Sequence, residues 1–374
     1  MPSNRAAYLT SAKAQPLEVK SAPYPKPGGS EIVIKNRAVA INPLDHIKQS
    51  MGNLLFDWVK YPAILGSDVA GEVVEVGKDV AARFKVGDRV VGHSIGMAKK
   101  HNFASHCGFQ EYTVLLSHMA SHIPDTVSYE DAAVIPLGLS TAACGLFQND
   151  QLALQLPTVP NAKPTGKTLL VWGGSTSVGC NAIQLAVAAG YEVIATASPR
   201  NFELVKRLGA VQVFDYKSPT VVEDIRTAFK GRTTAGAMSI GQGAAEKCLD
   251  ILASCKKGNK FLSMASYPFP ATPPERFVVP QIAFHYVMSM IYLWFKAQRH
   301  GIQSKFIFGD TLVDNEIGPA MYEHFLPEAL AEGSFTAAPK SEVVGHGLES
   351  IQQAMDVHKK GVSAKKIVVT LGAQ

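Results

Sequence analysis

The sequence predicts an α/β protein of two domains, in which a doubly wound parallel sheet is inserted into a strand-rich domain made from both ends of the chain. Three observations predict it. Thr168 to Ser198 reads as strand, glycine turn, helix, strand. Glu31 to Val39 alternates apolar and polar residues, and Val69 to Val76 is β-rich, with Gly77, Gly87 and Gly92 punctuating the stretch that follows. Lys366 to Leu371 is a further β run, after the chain has left the inserted unit.

The elements follow in order. Ser128 to Phe147 reads as a helix leading into the inserted domain, and Pro157 to Gly166, with its prolines, reads as a loop. Leu169 to Trp172 is an apolar run too short for a helix and closed by Gly173 and Gly174. A helix then starts within Gly173 to Gly179, with Val178, Ile183, Leu185, Ala186 and Ala189 on its apolar face, and Gly190 ends it. Glu192 to Thr196 is the second strand, Asn201 to Leu208 a helix, and Val211 to Tyr216 the third strand. After Gly301 the chain returns to short strands and helices.

The glycine turn points to a dinucleotide. Glycines let the backbone approach a phosphate, and free N–H groups at a helix start bind its charge. Gly174, Ser175, Thr176, Ser177 and Val178 are the candidates, although the spacing is not a strict G-x-G-x-x-G. The end of the second strand chooses between nicotinamide cofactors. A carboxylate there would accept the ribose hydroxyls and repel a 2′-phosphate. The chain reads Ala197-Ser198-Pro199-Arg200-Asn201, with no acid. Ser198 donates a hydrogen bond and Arg200 pairs with phosphate, so NADPH is expected. Asn201 belongs to the same turn, and Tyr216 sits where an adenine ring would stack.

Composition narrows the class. A hydrophobic fraction of 47% with 18% charged residues is that of a globular protein, and 374 residues suffice for two domains. A net charge of +5 suits an anionic cofactor and does not demand nucleic acid. No apolar signal core opens the chain, and Ile282 to Phe295 is too short to span a bilayer. Five cysteines without a C-x-x-C pair fit free thiols, so a cytoplasmic protein with no membrane partner is expected.

The ordered set AVAINPLD (38–45), LGSDVAGEVVEVG (65–77), FKVGDRVVG (84–92), IPLGLSTA (135–142), the glycine turn and AKKIVV (364–369) resembles the medium-chain dehydrogenase/reductase superfamily over essentially the whole chain. Within it the chain is similar to the zinc-independent quinone-oxidoreductase branch. SPRNFELVKRLGAVQVFDY (198–216) and SYPFP (266–270) resemble fungal stand-alone, trans-acting enoyl reductases. The resemblance implies a Rossmann-type NADP-binding domain (128–308) inserted in a GroES-like β-rich catalytic domain (1–127 and 309–374). It implies that Thr141 sits against the nicotinamide and that the INPLD segment, with Asp45, lines the cofactor. It extends the cofactor contacts to Met264, Ala265, Ser363 and Ala364. Relatives often place a lysine two residues after that aspartate. Here Ile47 holds the position, between His46 and Lys48. Lys48 is carried as a catalytic and cofactor-binding candidate, and His46 as a proton donor or a surface histidine. Asp45 reads as a loop brace more than an acid or base.

No metal is expected. Zinc-dependent members of the superfamily use a cysteine, a histidine and a second cysteine, and at the matching positions stand Asn42, Ser67-Asp68 and Leu137. The rival group His93, His101, His106, Cys107, His118 and His122 has no standard spacing. Polarising an alcohol without a Lewis acid is hard, which favours reducing an already activated C=C bond.

Three functions fit these residues: an enoyl or enone reductase, with substrate free or carried on a protein thioester; a quinone or alkenal reductase; and a non-catalytic NADPH-binding protein on the same fold. The partner is a small hydrophobic substrate, and the protein is a monomer or a homodimer. The aromatics and methionines between Tyr267 and Phe308, among them Phe269, Phe284, Met288, Tyr292, Trp294 and Phe295, read either as a substrate wall or as core or dimer interface.

Overall fold

The computed structural model describes residues 3–267 and 278–372. Two units emerge, one of residues 1–140 with 313–374 and the other of 141–312. The first unit begins with β1 (Asn4–Leu9), β2 (Glu18–Ala22), β3 (Glu31–Ala40), α1 (Pro43–Met51), β4 (Ala63–Ile64), β5 (Asp68–Val76), β6 (Arg89–His93), β7 (Tyr112–Leu116), β8 (Ala120–His122) and α2 (Tyr129–Ala132). Helix α3 (Pro136–Phe147) carries the chain onward. The second unit holds β9 (Lys167–Trp172), α4 (Ser177–Ala188), β10 (Glu192–Ala197), α5 (Phe202–Arg207), β11 (Ala210–Asp215), α6 (Val221–Ala228), β12 (Thr233–Ser239), α7 (Ala244–Ser254), β13 (Phe261–Met264), α8 (Val278–Arg299) and β14 (Gln303–Phe306). The first unit resumes with α9 (Ile317–Pro319), a π-helical turn over Ala320–Phe325, α10 (Leu326–Ala331), β15 (Lys340–His346), α11 (Ile351–Lys359) and β16 (Lys365–Thr370).

In the first unit a seven-stranded sheet runs β15-β16-β3-β5-β6-β8, with β7 also paired to β3; β2-β1-β4 form a smaller sheet. The order brings β16, from the end of the chain, beside β3, from its start. That pairing is what makes one domain of two distant segments. Ile32, Ile34, Val69, Phe84, Phe109 and Ile367 are buried together in its core, as period-2 strands with an apolar face require.

The second unit is a six-stranded sheet in the order β11-β10-β9-β12-β13-β14, all pairs parallel. Numbered within the unit this is 3-2-1-4-5-6, the order of dinucleotide-binding sheets, which hold the ligand beyond the carboxyl ends of the strands where the order reverses. The reversal lies between β9 and β12.

Ser128 to Phe147 differs from the single helix the sequence suggests. Ser128 caps α2, its hydroxyl accepting from Asp131 N–H at 3.1 Å. Pro136 then starts a second helix, because proline disfavours helical backbone in the residue before it while fitting the first helical position. Residues 128–140 pack with the first unit, α2 lying against β3, β5 and β15. The change of unit therefore falls at Ser140/Thr141, later in the chain than the Ser128 expected from sequence.

The stretch Tyr129–Phe147 is long and apolar enough, by composition, to cross a membrane, but 78% of it is buried inside the protein. That is the character of helices packed in a protein core. The five cysteines are free and buried.

Candidate active site

The glycine turn after β9 has the geometry a pyrophosphate needs. Gly173 is left-handed, with φ of 90°. A Cβ on Gly179 would lie 2.2 Å from the Gly173 carbonyl oxygen, so only glycine lets strand and helix approach this closely. Thr176 caps α4: its hydroxyl accepts from Gly179 N–H at 3.0 Å and donates to Gly173 O at 2.8 Å. That hydroxyl therefore shapes the turn. Its neighbour differs: Ser177 Oγ is buried and lacks a hydrogen-bond partner within the protein. An orphaned hydroxyl at a helix N-terminus, inside a glycine cradle, fits a phosphate oxygen.

At the end of β10 the predicted residues come together. Asn201 Nδ2 donates to Ser175 Oγ at 3.2 Å and to Ser198 Oγ at 3.1 Å, tying the two turns of the site. Arg200 is exposed beside them. Asp215 lies opposite Ala197 in the sheet, but its carboxylate accepts from Lys217 N–H in its own turn at 3.0 Å. Tyr216 is 39% exposed, with Lys217 Nζ 5.8 Å from its ring centre. Sequence reading missed Lys217 as a second cation at this end.

At the C-terminal ends of β12 and β13, Ala265 N–H donates to Ser239 O at 2.9 Å. Met264 is 3% exposed and part of the core, so its side chain is corrected from cofactor contact to packing. Thr141 is half-buried on α3, and a Cβ on Gly309 would lie 2.5 Å from its hydroxyl oxygen. The Thr141 hydroxyl thus packs closely against the Gly309 backbone. Ser363 and Ala364 form the turn before β16, Ala364 at φ 52°.

In the first unit, the three positions where zinc enzymes carry ligands converge. Ile41 N–H donates to Ile367 O at 2.9 Å, which sets the end of β3 beside β16, and Ala40 pairs with Asp68 across β3 and β5. Asn42, Asp68 and Lys366 meet there. Lys366 Nζ lies 2.8 Å from Asp68 Oδ2 and donates to Asn42 Oδ1 at 2.5 Å. Asn42 Nδ2 donates to the same Asp68 oxygen at 2.9 Å, while Asp68 Oδ1 accepts from Leu137 N–H at 2.7 Å. The lysine side chain is 4% exposed and the aspartate 0%. Every ligand-capable atom of the carboxylate is engaged, and a positive charge already stands at the centre. Zinc coordination needs thiolate, imidazole or free carboxylate and no adjacent ammonium, so this donor set does not fit it. Nothing in the apolar run around Lys366 announces this role; the alternation of β16 and its pairing with β3 would have been the only signal.

Asp45 is fully buried, Oδ2 accepting from Asn42 N–H at 2.8 Å and Oδ1 from Gly66 N–H at 3.2 Å. It braces the loop and is corrected from the cofactor set. Burial pushes its carboxyl up to about 7, against the two backbone donors that pull it down; nearby Asp68 adds to the rise. Lys48 is corrected in the same way. Its ammonium donates to the carbonyls of Gly52, Leu55 and Phe56 at 3.0, 2.9 and 2.9 Å, which uses all three of its donors on the loop after α1. His46 faces α11, its ring 5.2 Å from that of His358; burial first, and then Lys359, hold it below the usual imidazole value.

The rival histidines are dispersed among partners. His106 Nε2 meets Glu31 at 3.0 Å, His122 Nε2 meets Asp88 at 3.0 Å, and His118 Nε2 meets Val313 O at 3.0 Å. His93 lies opposite Asp68 in the sheet and reaches Ser140 Oγ at 2.9 Å. Ser140 Oγ is 2.8 Å from Tyr322 OH, which donates to Pro136 O at 3.0 Å. Because that last carbonyl only accepts, Ser140 donates to Tyr322 and His93 Nδ1 donates to Ser140. No group of three or more His, Cys, Asp or Glu able to hold a metal occurs among the described residues.

Phe269 lies outside the described residues. Of the other aromatics, Phe284, Tyr292, Trp294 and Phe295 are exposed on α8, while Leu293 and Ala297 are buried. Those four aromatics therefore lie outside the core, which Leu293 and Ala297 of the same helix join.

Known proteins share the sequence and the fold of this chain. Residues 28–125 match the alcohol dehydrogenase GroES-like domain, and 177–291 match the zinc-binding dehydrogenase domain. The chain is 57% identical to the dehydrogenase pigH of Monascus ruber, over 99% of this chain and 100% of that one. It is 35% identical to the trans-enoyl reductase himH of Aspergillus japonicus, over 98% and 97%. An alcohol dehydrogenase superfamily protein from Novosphingobium aromaticivorans shares the fold with a TM-score of 0.73 at 23% identity, covering 99% of this chain and 100% of that one.

Proposed function

This chain belongs to the medium-chain dehydrogenase/reductase superfamily and is an oxidoreductase of it, and on that premise we propose that it is a zinc-independent, NADPH-dependent reductase of a C=C bond conjugated to a carbonyl. The observation that carries the proposal is the Asn42–Asp68–Lys366 cluster, which offers an alcohol no Lewis acid. The relative called a trans-enoyl reductase supports the same chemistry. The relative at 57% bears only the name dehydrogenase, which leaves the substrate to the chemistry of the site.

When bound, the reduced nicotinamide supplies hydride to the β carbon of the activated double bond. The chain's own residues do the rest. Gly173, Gly174 and Gly179 admit the pyrophosphate, and Ser177 Oγ gives it a hydrogen bond. Ser198 and Arg200 take the 2′-phosphate, Asn201 fixes the two serines, and Tyr216 stacks on the base. Thr141, held against Gly309, sets the ring. Charge developing on the carbonyl oxygen is met by oriented donors rather than a metal, and solvent supplies the α proton.

The test uses 4-deuterated NADPH with enones, enoyl thioesters and quinones. One deuterium at the β carbon and a solvent proton at the α carbon are expected. Label on a carbinol carbon would make the protein a carbonyl reductase, and turnover of quinones alone would replace the C=C reading.

A further inference from the structure

We propose that Lys366 is a positioning residue: a buried cation that, by holding Asp68, fixes the start of α3. The role of α3 in turnover rests on the reading of Thr141 given above; the role of Lys366 at the α3 start does not.

The geometry assigns each step. Lys366 and Asp68 are both withdrawn from water, and neither charge would be stable there alone. Asn42 orients the pair: its amide oxygen accepts from Lys366 and its amide nitrogen donates to Asp68, so both ends of the side chain are committed. The free oxygen of Asp68 then caps α3. Pro136 has no N–H to offer, and the next donor, Leu137 N–H, goes to Asp68 Oδ1 at 2.7 Å. The Pro136 carbonyl is held by Tyr322 OH from the π-helical turn. The first turn of α3 is thus clamped from two sides, and the same helix runs on through Ser140 and Thr141. The cation that holds this corner of the fold together is thus one of the chain's own side chains.

The experiment compares full-length wild type with Lys366→Ala, in buffer, in sodium chloride and in ethylammonium chloride of equal ionic strength. Amide exchange at Leu137 is read by NMR or mass spectrometry, and NADPH oxidation on an enone is read in parallel. In Lys366→Ala, Leu137 exchanges about 10- to 100-fold faster, the scale of a charge-assisted hydrogen bond. kcat falls while KM for NADPH stays within about twofold, as expected when a transition-state alignment rather than cofactor binding is lost. Ethylammonium, which fits the vacated space with its charge at the Lys366 position, restores both; sodium chloride restores neither. Wild-type exchange at Leu137 in the variant, or failure of ethylammonium to restore protection, would overturn the proposal. If Lys366→Ala does not fold, Lys366→Met combined with Asp68→Asn removes both charges together and leaves none unpaired. Faster Leu137 exchange in that double variant supports the proposal, and wild-type protection overturns it. If the wild type reduces no enone, the activity reading fails on its own and the exchange readout still decides this one.

Discussion

Adding one methyl group to the glycine turn tests whether it is a phosphate cradle. In Gly179→Ala the new Cβ would lie 2.2 Å from Gly173 O, 2.8 Å from Gly174 Cα and 2.9 Å from Gly173 C. All three atoms are backbone, so no rotamer change relieves the clash, and Gly173 must retreat by about 1 Å to reach ordinary contact. Gly173 is not free to do so. Its N–H donates to Thr196 Oγ1 at 3.0 Å, its carbonyl accepts from Thr176 N–H at 3.0 Å and Thr176 Oγ1 at 2.8 Å, and Gly174 N–H donates to Thr196 O at 2.8 Å. Alanine in a helix gains about 1 kcal/mol over glycine. Against that stand overpacking of about 1–3 kcal/mol and one or two weakened hydrogen bonds at about 1 kcal/mol each. The clash wins by about 1–4 kcal/mol. Urea unfolding of the apo protein measures that loss, and NADPH fluorescence titration measures the cradle. At least a tenfold weaker NADPH affinity is expected, because the displaced atoms border the phosphate site. A variant as stable as wild type that binds NADPH equally well would refute the reasoning.

Other perturbations address single residues. Arg200→Ala should weaken NADPH about 10- to 100-fold and leave NADH nearly unchanged in parallel titrations; equal losses would mean that Arg200 does not read the 2′-phosphate. Asp45, raised to about 7 in the fold, binds a proton that the unfolded chain has released above about 4. Its contribution to stability is therefore fully present below pH 4 and lost as pH rises to about 7. Asp45→Asn should flatten that segment of the denaturation free energy, and an unchanged slope would assign it to other groups. His46→Phe should leave turnover and its pH dependence intact if the ring only packs on His358; loss of the alkaline limb, where a donor imidazole gives up its proton, would make it the proton donor.

The nucleotide unit was legible because its signals are local. Gly173, Gly190 and Gly209 punctuate apolar runs, and each sits at a positive φ that only such punctuation explains. The strands differ from the sequence reading by a residue or two at their ends, where pairing rather than composition sets the limit. The split before Pro136 was legible in principle, from proline chemistry alone. What the sequence hid is non-local. Lys48 looks like a free reactive amine until the loop folds back and brings the carbonyls of Gly52, Leu55 and Phe56 around it. Met264 ends a strand as a cofactor contact would, yet its side chain belongs to the core. Asn42 and Lys366 stand 324 residues apart, and only the pairing of β16 with β3 joins them. Asn42, Asp68 and Leu137 mark where ligands are missing, but no local pattern states what replaced them.

That replacement bears on the chemistry. A metal ion has empty orbitals and accepts a lone pair from a substrate oxygen, so it lowers the pKa of an alcohol or polarises a carbonyl directly. An ammonium has only N–H donors. In this protein those of Lys366 are directed to Asp68 and Asn42, inside a cluster almost sealed from water. Such a cation orders the chain around it without touching a reactant. The barrier must then be lowered where the substrate is already electron-poor, since an isolated alcohol would find no partner for its oxygen. A double bond conjugated to a carbonyl meets that condition. There hydride would enter at the β carbon, the negative charge would spread to the carbonyl oxygen, and fixed donors together with solvent would complete the reduction. The Asp68 carboxylate already engaged by Lys366 and Asn42, and the absence of an acid at Ala197, are thus the two observations that support the proposed NADPH-dependent reductase.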